Sequence, residues 1–209
     1  MMLSGANIAG LLEQEDAADP LVIAPKPDTS QLKKSGEAAV DLRLGTWFLT
    51  LRRSAHAVLQ MNRSTTRTDE SAPALARAFS DMRYVPFGGT FVLHPRSFVL
   101  AITLEWIRMT RRHGGYVMGK SSWGRRGLVI ETAPGVHPGF SGCLTLELAN
   151  VGEIPIELTP GARICQLFVH VLEGGGADSS VEGHFTGRRQ PILGQIAADP
   201  FLEKLSKKW

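Results

Sequence analysis

A short run at positions 120–125 concentrates side chains that bind phosphate. It reads Lys-Ser-Ser-Trp-Gly-Arg, so an ammonium, two hydroxyls and a guanidinium fall close together in the chain. Proteins hold polyphosphates with donors of this kind. Serine is also a common turn residue, and the Ser121–Ser122 pair alone is typical of an ordinary surface turn. Of the two arginines in this region, we interpret Arg126 as solvated and Arg125 as the candidate ligand.

A carboxylate follows further along the chain, on an alternating segment. Leucines recur at every second position from Leu144 to Leu148, which predicts a strand whose opposite face carries Glu147. A carboxylate positioned in a pocket can serve as a general base. Taken alone, Glu147 is more typical of a solvated residue on the outer face of a half-buried strand. The turn-rich segment 134–142 lies between the two motifs and can fold one against the other.

The elements that must position these groups are mostly short strands. Apolar runs, most of them bounded by proline or glycine, predict strands at Phe91–Leu93, Phe98–Leu104, Leu128–Ile130, Leu144–Leu148, Ile154–Leu158 and Ile164–Leu172. Residues 39–51 are predicted to form two short strands around Gly45. Many short strands with Pro-Gly turns favour a compact all-β barrel or sandwich.

Helices and polar regions complete the predicted single domain, which spans residues 1–209. Ser4 is expected to cap a helix from Gly5 to Gln14, and residues 25–28 are expected to end that region in a turn. Residues 52–84 form a polar excursion with a short helix predicted at 73–82. Residues 174–209 are expected to be a flexible polar tail.

Composition limits the classes of protein and partner. The chain has 209 residues, of which 43% are hydrophobic, enough for one buried core. No apolar run reaches the length of a membrane span, and a signal-peptide pattern is missing, so we expect a cytoplasmic protein without a membrane partner. Cys143 and Cys165 are expected to be reduced and buried. The net charge of +3 suits an anionic substrate, whereas scattered basic pairs argue against nucleic acid.

The order of motifs resembles the dCTP deaminase branch of the trimeric dUTPase superfamily. Four motifs carry the resemblance: Gly-Lys-Ser-Ser-x-x-Arg-x-Gly-Leu (119–128), Pro-Gly-Phe-Ser-Gly (138–142), Leu-x-Leu-Glu-Leu-x-Asn (144–150) and Pro-Gly-x-x-Ile-x-Gln-Leu (160–167). Earlier segments are similar to the family's lead-in and central strands: Leu3-Ser4 with Ile8, Val22–Pro25, Asp41–Gly45, Phe91–Pro95 and Phe98–Glu105. The likeness covers roughly two thirds of the chain in family order, which makes it specific.

The resemblance implies a fold, an assembly and a set of binding residues. The fold would be a dUTPase-like distorted β-barrel or jelly-roll (β-clip) with a short amino-terminal helix and minor helical insertions. The assembly would be a homotrimer with sites between subunits, and magnesium would enter with the nucleotide triphosphate. The residues carried over are Lys120, Ser121, Ser122, Arg125, Gln166, Arg188 and Gln190 for the phosphates, and Ala133, Val136, His137 and Phe140 for the sugar and base.

The reaction implied by the resemblance is deamination of a pyrimidine deoxynucleotide, dCTP before others, to dUTP and ammonia. Most cytosine deaminases use zinc held by His-x-Glu and Pro-Cys-x-x-Cys motifs, and this sequence contains neither motif. We therefore expect no zinc cofactor and assign the activation of water to Glu147. In this scheme Ser121 holds the water, and Arg125 keeps the carboxylate ionised.

Three positions depart from the family pattern. His137 stands where the family has an acid that holds the sugar 3′-hydroxyl, so phosphohydrolase chemistry loses a negative charge. Phe140 replaces the larger Trp often found under the sugar. In the tail, Arg189 replaces a tyrosine, and Pro191 changes the backbone beyond it. These departures keep a second class open: a member that binds nucleotide as a sensor or regulator, or that acts on another pyrimidine nucleotide.

Overall fold

The protein is described here by a computed structural model that covers residues 1–52, 80–130, 135–174 and 186–194. The helices are α1 (Gly5–Glu13), α2 (Thr29–Ser35) and α3 (Ser121–Gly124). The strands are β1 (Val22–Ala24), β2 (Ala39–Leu51), β3 (Ser80–Tyr84), β4 (Phe91–Leu93), β5 (Phe98–Arg108), β6 (His113–Gly119), β7 (Leu128–Ile130), β8 (Gly135–Val136), β9 (Ser141–Asn150), β10 (Ile156–Leu158) and β11 (Arg163–Val171).

A curled antiparallel sheet forms the body of the protein and confirms the predicted all-β fold. Within the described ranges its strand order is β7-β9-β5-β2-β11-β6-β8, with β1 paired to β5 and β3 paired to β2. Strands β4 and β10 form a separate two-stranded sheet. The pairing registers of β2 with β5, and of β5 with β9, each shift partway along the strands. Such irregularities bend a sheet and allow it to curl.

The long strand β2 lies at the centre and corrects one prediction. It runs unbroken through Gly45, whereas the sequence predicted two short strands. A Cβ at Gly45 would lie 2.8 Å from Cγ2 of Ile102 and 2.9 Å from the Ile102 carbonyl oxygen. Glycine is therefore needed here because β5 approaches closely, and the residue does not mark a turn.

The core is formed by inward-facing side chains of the central strands and is covered by α1. Leu42, Leu44 and Phe48 of β2 are fully buried, as is Ile8 of α1. The Phe48 ring stacks on Phe91 with centroids 4.6 Å apart, which packs β4 against the main sheet. Each fully buried Leu or Phe side chain stabilises the fold by about 1.5–3 kcal/mol relative to its exposed state.

Local sequence signals account for α1 but did not reveal α2. The Ser4 hydroxyl accepts a hydrogen bond from the Asn7 amide at 3.3 Å, which confirms Ser4 as the helix cap. Helix α2 directly follows the turn predicted at residues 25–28, in a stretch for which the sequence predicted no element. Asp28 caps it by accepting a hydrogen bond from the Gln31 amide at 3.0 Å. Only Leu32 of α2 is buried, so this helix carries no apolar periodicity to detect.

Strands β3 and β6 are the other differences from the sequence-based prediction. Ser80–Tyr84 pairs with β2, so the last residues of the helix predicted at 73–82 are strand instead. The rest of that helix, and positions 53–79 of the polar excursion, lie outside the described residues. Strand β6 contains Gly114, Gly115 and Gly119, and glycine is depleted in strands, so the segment showed no strand pattern. None of the helices in the described ranges has the length and apolarity needed to cross a membrane.

Glu105 is a buried carboxylate held by the backbone and side chain of Arg43. It is 2% exposed, and its Oε2 accepts a hydrogen bond from the Arg43 amide at 2.8 Å. Its Oε1 lies 3.4 Å from Nη1 of Arg43. Burial raises the pKa of Glu105, and the hydrogen bonds from Arg43 only partly oppose that change.

We expect Glu105→Gln to remove a pH dependence of stability. Because the pKa is raised in the folded protein, Glu105 loses its proton at a lower pH in the unfolded chain than in the folded one. The stability of the parent protein therefore falls as pH rises through the range just above the ordinary pKa of 4.5. Glutamine does not ionise, so the stability of the variant does not show this fall. The free energy of unfolding of the variant therefore increases relative to that of the parent as pH rises. Urea midpoints across a pH series measure the difference. An equal difference at every pH would contradict the assignment.

Candidate functional site

A cavity of about 370 Å³ opens beside β9, and the predicted catalytic carboxylate Glu147 is part of its lining. Its volume falls within the range usual for small-molecule sites. Most of the lining is apolar. The described residues that line it are Phe98, Leu100, Gly135, Val136, His137, Phe140, Cys143, Leu144, Thr145, Glu147, Thr186, Ile192, Leu193 and Gly194.

Glu147 faces this cavity because of the alternation of β9. Leu146 and Leu148 are fully buried on the other side of the strand, as the sequence predicted. Leu100 of β5 pairs directly with Glu147 and also lines the cavity. Leu144 is the exception to the alternation, since it is only half-buried and lines the cavity while also packing against the core. A half-buried carboxylate beside apolar walls is a suitable general base if a substrate excludes bulk water.

Three of the residues predicted for the sugar and base line the same cavity as Glu147. Val136 belongs to β8, which pairs with Gly115 of β6. His137 and Phe140 belong to the turn that follows, closed by a hydrogen bond from the Phe140 amide to the His137 carbonyl at 3.1 Å. The fourth predicted residue, Ala133, lies outside the described residues. The tertiary structure thus brings the turn and the strand together at one pocket.

The run at 120–125, which was predicted to bind phosphate, contains the single turn of helix α3. Trp123 anchors it, because the indole packs against the core and donates a hydrogen bond to the Arg163 carbonyl at 3.1 Å. Ser121, Ser122 and Arg125 are exposed on this turn. The run therefore presents two hydroxyls and a guanidinium to solvent, which suits an anionic ligand.

Asp41 contacts two more of the residues that were predicted to bind phosphate, Lys120 and Gln166. Its Oδ1 accepts hydrogen bonds from Nζ of Lys120 at 2.6 Å and from Nε2 of Gln166 at 3.1 Å. Nη1 of Arg163 lies 3.6 Å from its Oδ2. Two cations around one carboxylate leave a net positive charge beside α3, which favours an anion there. The sequence did not mark Asp41 or Arg163 as site residues, since the pairing of β11 with both β2 and β6 is what brings them to Lys120.

The two halves of the predicted site are separate within one protomer. The lining of the cavity, as far as the structure describes it, includes none of the phosphate-type residues of α3 and β11. The cavity lining described in a single chain therefore contains Glu147 without Ser121 or Arg125, and their predicted contact with Glu147 stays a prediction. Glu147 with Phe140 forms one half, and α3 with the Asp41 cluster forms the other.

The carboxy-terminal segment 186–194 passes over the cavity. The Arg188 carbonyl accepts a hydrogen bond from the Cys143 amide at 3.0 Å, while the Arg188 and Gln190 side chains are exposed. Beyond them, Ile192 and Leu193 line the cavity, a role that the sequence-based assignment missed. The only signal was an apolar pair after proline within a polar tail, which is too short to predict an element.

Comparisons with known proteins agree with this fold. A model of the dCTP deaminase-like family matches residues 2–172. The chain is similar to the 2′-deoxycytidine 5′-triphosphate deaminase from Agrobacterium tumefaciens, at 20% identity and a TM-score of 0.58, covering 81% of this chain and 46% of that one. The chain thus spans about half the length of the Agrobacterium protein.

Two viral proteins give weaker matches. The EIAV dUTPase is 18% identical, with a TM-score of 0.38 and coverage of 64% of this chain and 97% of that one. The dUTPase from phage phi11 of S. aureus is 17% identical, with a TM-score of 0.38 and coverage of 65% and 97%. Because the family model matches most of the chain, this protein belongs to the dCTP deaminase-like family.

Proposed function

We propose that the protein deaminates a pyrimidine deoxynucleotide, with dCTP as the preferred substrate and dUTP and ammonia as products. The observation that carries the proposal is Glu147 lining a mostly apolar cavity together with Val136, His137 and Phe140. Apolar walls suit a planar base, and a carboxylate among them can act on a bound water. Membership of the dCTP deaminase-like family supports a nucleotide-modifying enzyme.

The chemistry assigned to Glu147 needs one proton carrier. The carboxylate takes a proton from water as the water oxygen bonds to C4 of the pyrimidine. It then gives this proton to the amino nitrogen, the C4–N bond breaks and ammonia leaves. The second proton of the water passes from the new hydroxyl to ring nitrogen N3, so that C4 keeps the oxygen as a carbonyl. Apolar neighbours such as Phe140 and Leu144 exclude other water from the reacting carbon.

We assign the phosphates to the exposed turn of α3 and to the tail residues Arg188 and Gln190. Since these groups of α3 lie apart from Glu147 in one protomer, a second protomer of a homotrimer supplies them. The outward face of β6 supports such an assembly: Tyr116 and Met118 are 51% and 59% exposed, and Met118 pairs with Gln166 beside the Asp41 cluster. Exposed large apolar side chains on a sheet face are typical of a subunit interface.

A second candidate is a protein that binds the nucleotide without turning it over. Two observations favour it. His137 lines the cavity where the family carries an acid, and a neutral imidazole cannot provide the negative charge. Arg189 takes the place of the family's tyrosine, and its guanidinium lies over the Trp106 ring. A binder with these changes would show nucleotide affinity but no ammonia release.

A panel of nucleotides separates the candidates. We expect ammonia from dCTP, less from dCMP and CTP, and no pyrophosphate from dUTP, because His137 removes the acid associated with phosphohydrolysis. Magnesium should strengthen triphosphate binding by travelling with the substrate, whereas a zinc chelator should leave the rate unchanged. Ammonia and pyrophosphate are measured with and without each metal. Tight dCTP binding without ammonia would favour the second candidate, and zinc-dependent activity would contradict the mechanism.

A further inference from the structure

The tail segment 186–194 is bound to the sheet by its own backbone. The Gly187 amide donates to the Ser141 carbonyl at 2.6 Å, and the Cys143 amide donates to the Arg188 carbonyl at 3.0 Å. Between these bonds lies Gly142, where a Cβ would come within 3.4 Å of the amide nitrogens of Gly187 and Arg188. The segment therefore lies directly on the edge of β9, in a place that glycine keeps open.

A side-chain contact adds to this backbone pairing. The Arg189 guanidinium lies 5.0 Å from the centroid of the Trp106 ring. Trp106 belongs to β5 and pairs with Cys143, so Arg189 reaches across β9 to the neighbouring strand. Pro191 is buried immediately after it. An exposed cation–π contact shifts a closed-to-open equilibrium by roughly two- to fivefold.

Ile192 and Leu193 follow these anchors and line the cavity that contains Glu147. We propose that residues 186–194 form a fixed wall of this cavity and that Arg189 is the positioning residue that holds the wall in place through Trp106. Within the wall, Ile192 and Leu193 present apolar side chains to the cavity, so this part suits the uncharged ring of a base, whereas Arg188 and Gln190 are exposed and lie outside the cavity lining. The fit to a base rests on the proposed function, whereas the anchoring does not.

Cys143 offers a direct probe of the wall. Cys143 and Cys165 are the only cysteines of the chain. Cys165 is fully buried, whereas Cys143 is half-buried, lines the cavity and is hydrogen-bonded to the wall. Because the wall is hydrogen-bonded to the Cys143 backbone, we expect opening of the wall to speed alkylation of Cys143 by a bulky neutral maleimide. Peptide mass spectrometry separates the two cysteines.

Arg189 could affect the labelling of Cys143 through its charge or through its hold on the wall, and these two explanations predict opposite changes in rate when Arg189 is removed. Burial raises the pKa of the Cys143 thiol, and the Arg189 charge opposes that change. If Arg189 acted only through its charge, its removal would raise the pKa further, lower the thiolate fraction and slow alkylation. If Arg189 holds the wall, its removal opens the cavity and speeds alkylation.

We expect Arg189→Met to speed alkylation of Cys143 by roughly two- to fivefold. Arg112→Met removes a matched exposed charge in the turn between β5 and β6 and should leave the rate unchanged. Trp106→Leu should match Arg189→Met, and the double variant should be no faster than the faster single variant, since both remove one contact. An unchanged or slower rate in Arg189→Met overturns the proposal, and because that residue is exposed the variant is expected to fold.

Kinetics then separate the wall from the proposed function. If the parent protein deaminates dCTP, Arg189→Met should raise KM by a similar factor and leave kcat nearly unchanged, because the wall acts on binding. Faster labelling in a protein that releases no ammonia would support the wall and contradict deamination. Deamination by a protein whose labelling does not respond to Arg189→Met would support the function and overturn the wall.

Discussion

Glu147→Gln is expected to keep the fold and the affinity for nucleotide while losing most ammonia release. Glutamine has nearly the same shape, so the packing of β9 against Leu100 is retained. Its amide cannot accept a proton from water at C4, and removal of a positioned base costs about a hundredfold to ten-thousandfold in rate. Ammonia release under saturating dCTP measures the loss, and nucleotide titration of the same preparation measures the affinity.

A matched substitution shows whether the loss is specific. Glu157→Gln makes the same chemical change on the exposed side of β10, outside the cavity lining described above. It should retain parental activity and stability. If Glu147→Gln releases ammonia near the parental rate, Glu147 is not the base. If Glu157→Gln is equally impaired, the loss reports a general effect of charge on the fold.

Mixed assemblies of Ser121→Ala and Glu147→Gln subunits are expected to recover activity that neither variant has alone. The reason is that the cavity lining of one protomer contains Glu147 but not Ser121. The two residues can then serve one pocket only if Ser121 comes from a different chain. In random trimers, about a quarter of such pockets then carry both parental residues. The measurement is ammonia release after the two variants are unfolded together and refolded.

Two controls bound this experiment. Each variant refolded alone gives the baseline. A chain that carries both substitutions, unfolded and refolded alone, should show no recovery of ammonia release. If Ser121 and Glu147 serve one pocket from the same chain, every pocket stays defective and mixing recovers nothing. An active monomer in light scattering would contradict the shared site.

Local periodicity and composition were sufficient for much of the framework. The alternating leucines of β9 identified the strand and the face that carries Glu147, because residue side chains alternate whatever the strand pairs with. Ser4 marked the start of α1 through a hydrogen bond made within one turn of the helix. The Ser121–Ser122 pair is typical of a turn, and residues Ser121–Gly124 form one turn of helix. These features depend on neighbours within a few residues, which is why sequence alone reveals them.

Long-range pairing decided the rest. Strand β6 is rich in glycine and forms because β11 lies alongside it, while Gly45 is explained only by the approach of Ile102 from β5. Asp41 contacts Lys120 because β11 pairs with both β2 and β6, and no spacing in the sequence encodes that contact.

The wall of the cavity is the clearest case in which the sequence did not predict the position of a segment. Ile192 and Leu193 stand far from Glu147 in the chain, and their place in the lining follows from backbone bonds between the tail and Ser141 and Cys143. Backbone hydrogen bonds carry almost no sequence signature, since every residue but proline offers the same donor and acceptor. The sequence by itself indicated which residues could carry the chemistry, and only the tertiary structure decided which of them share a pocket.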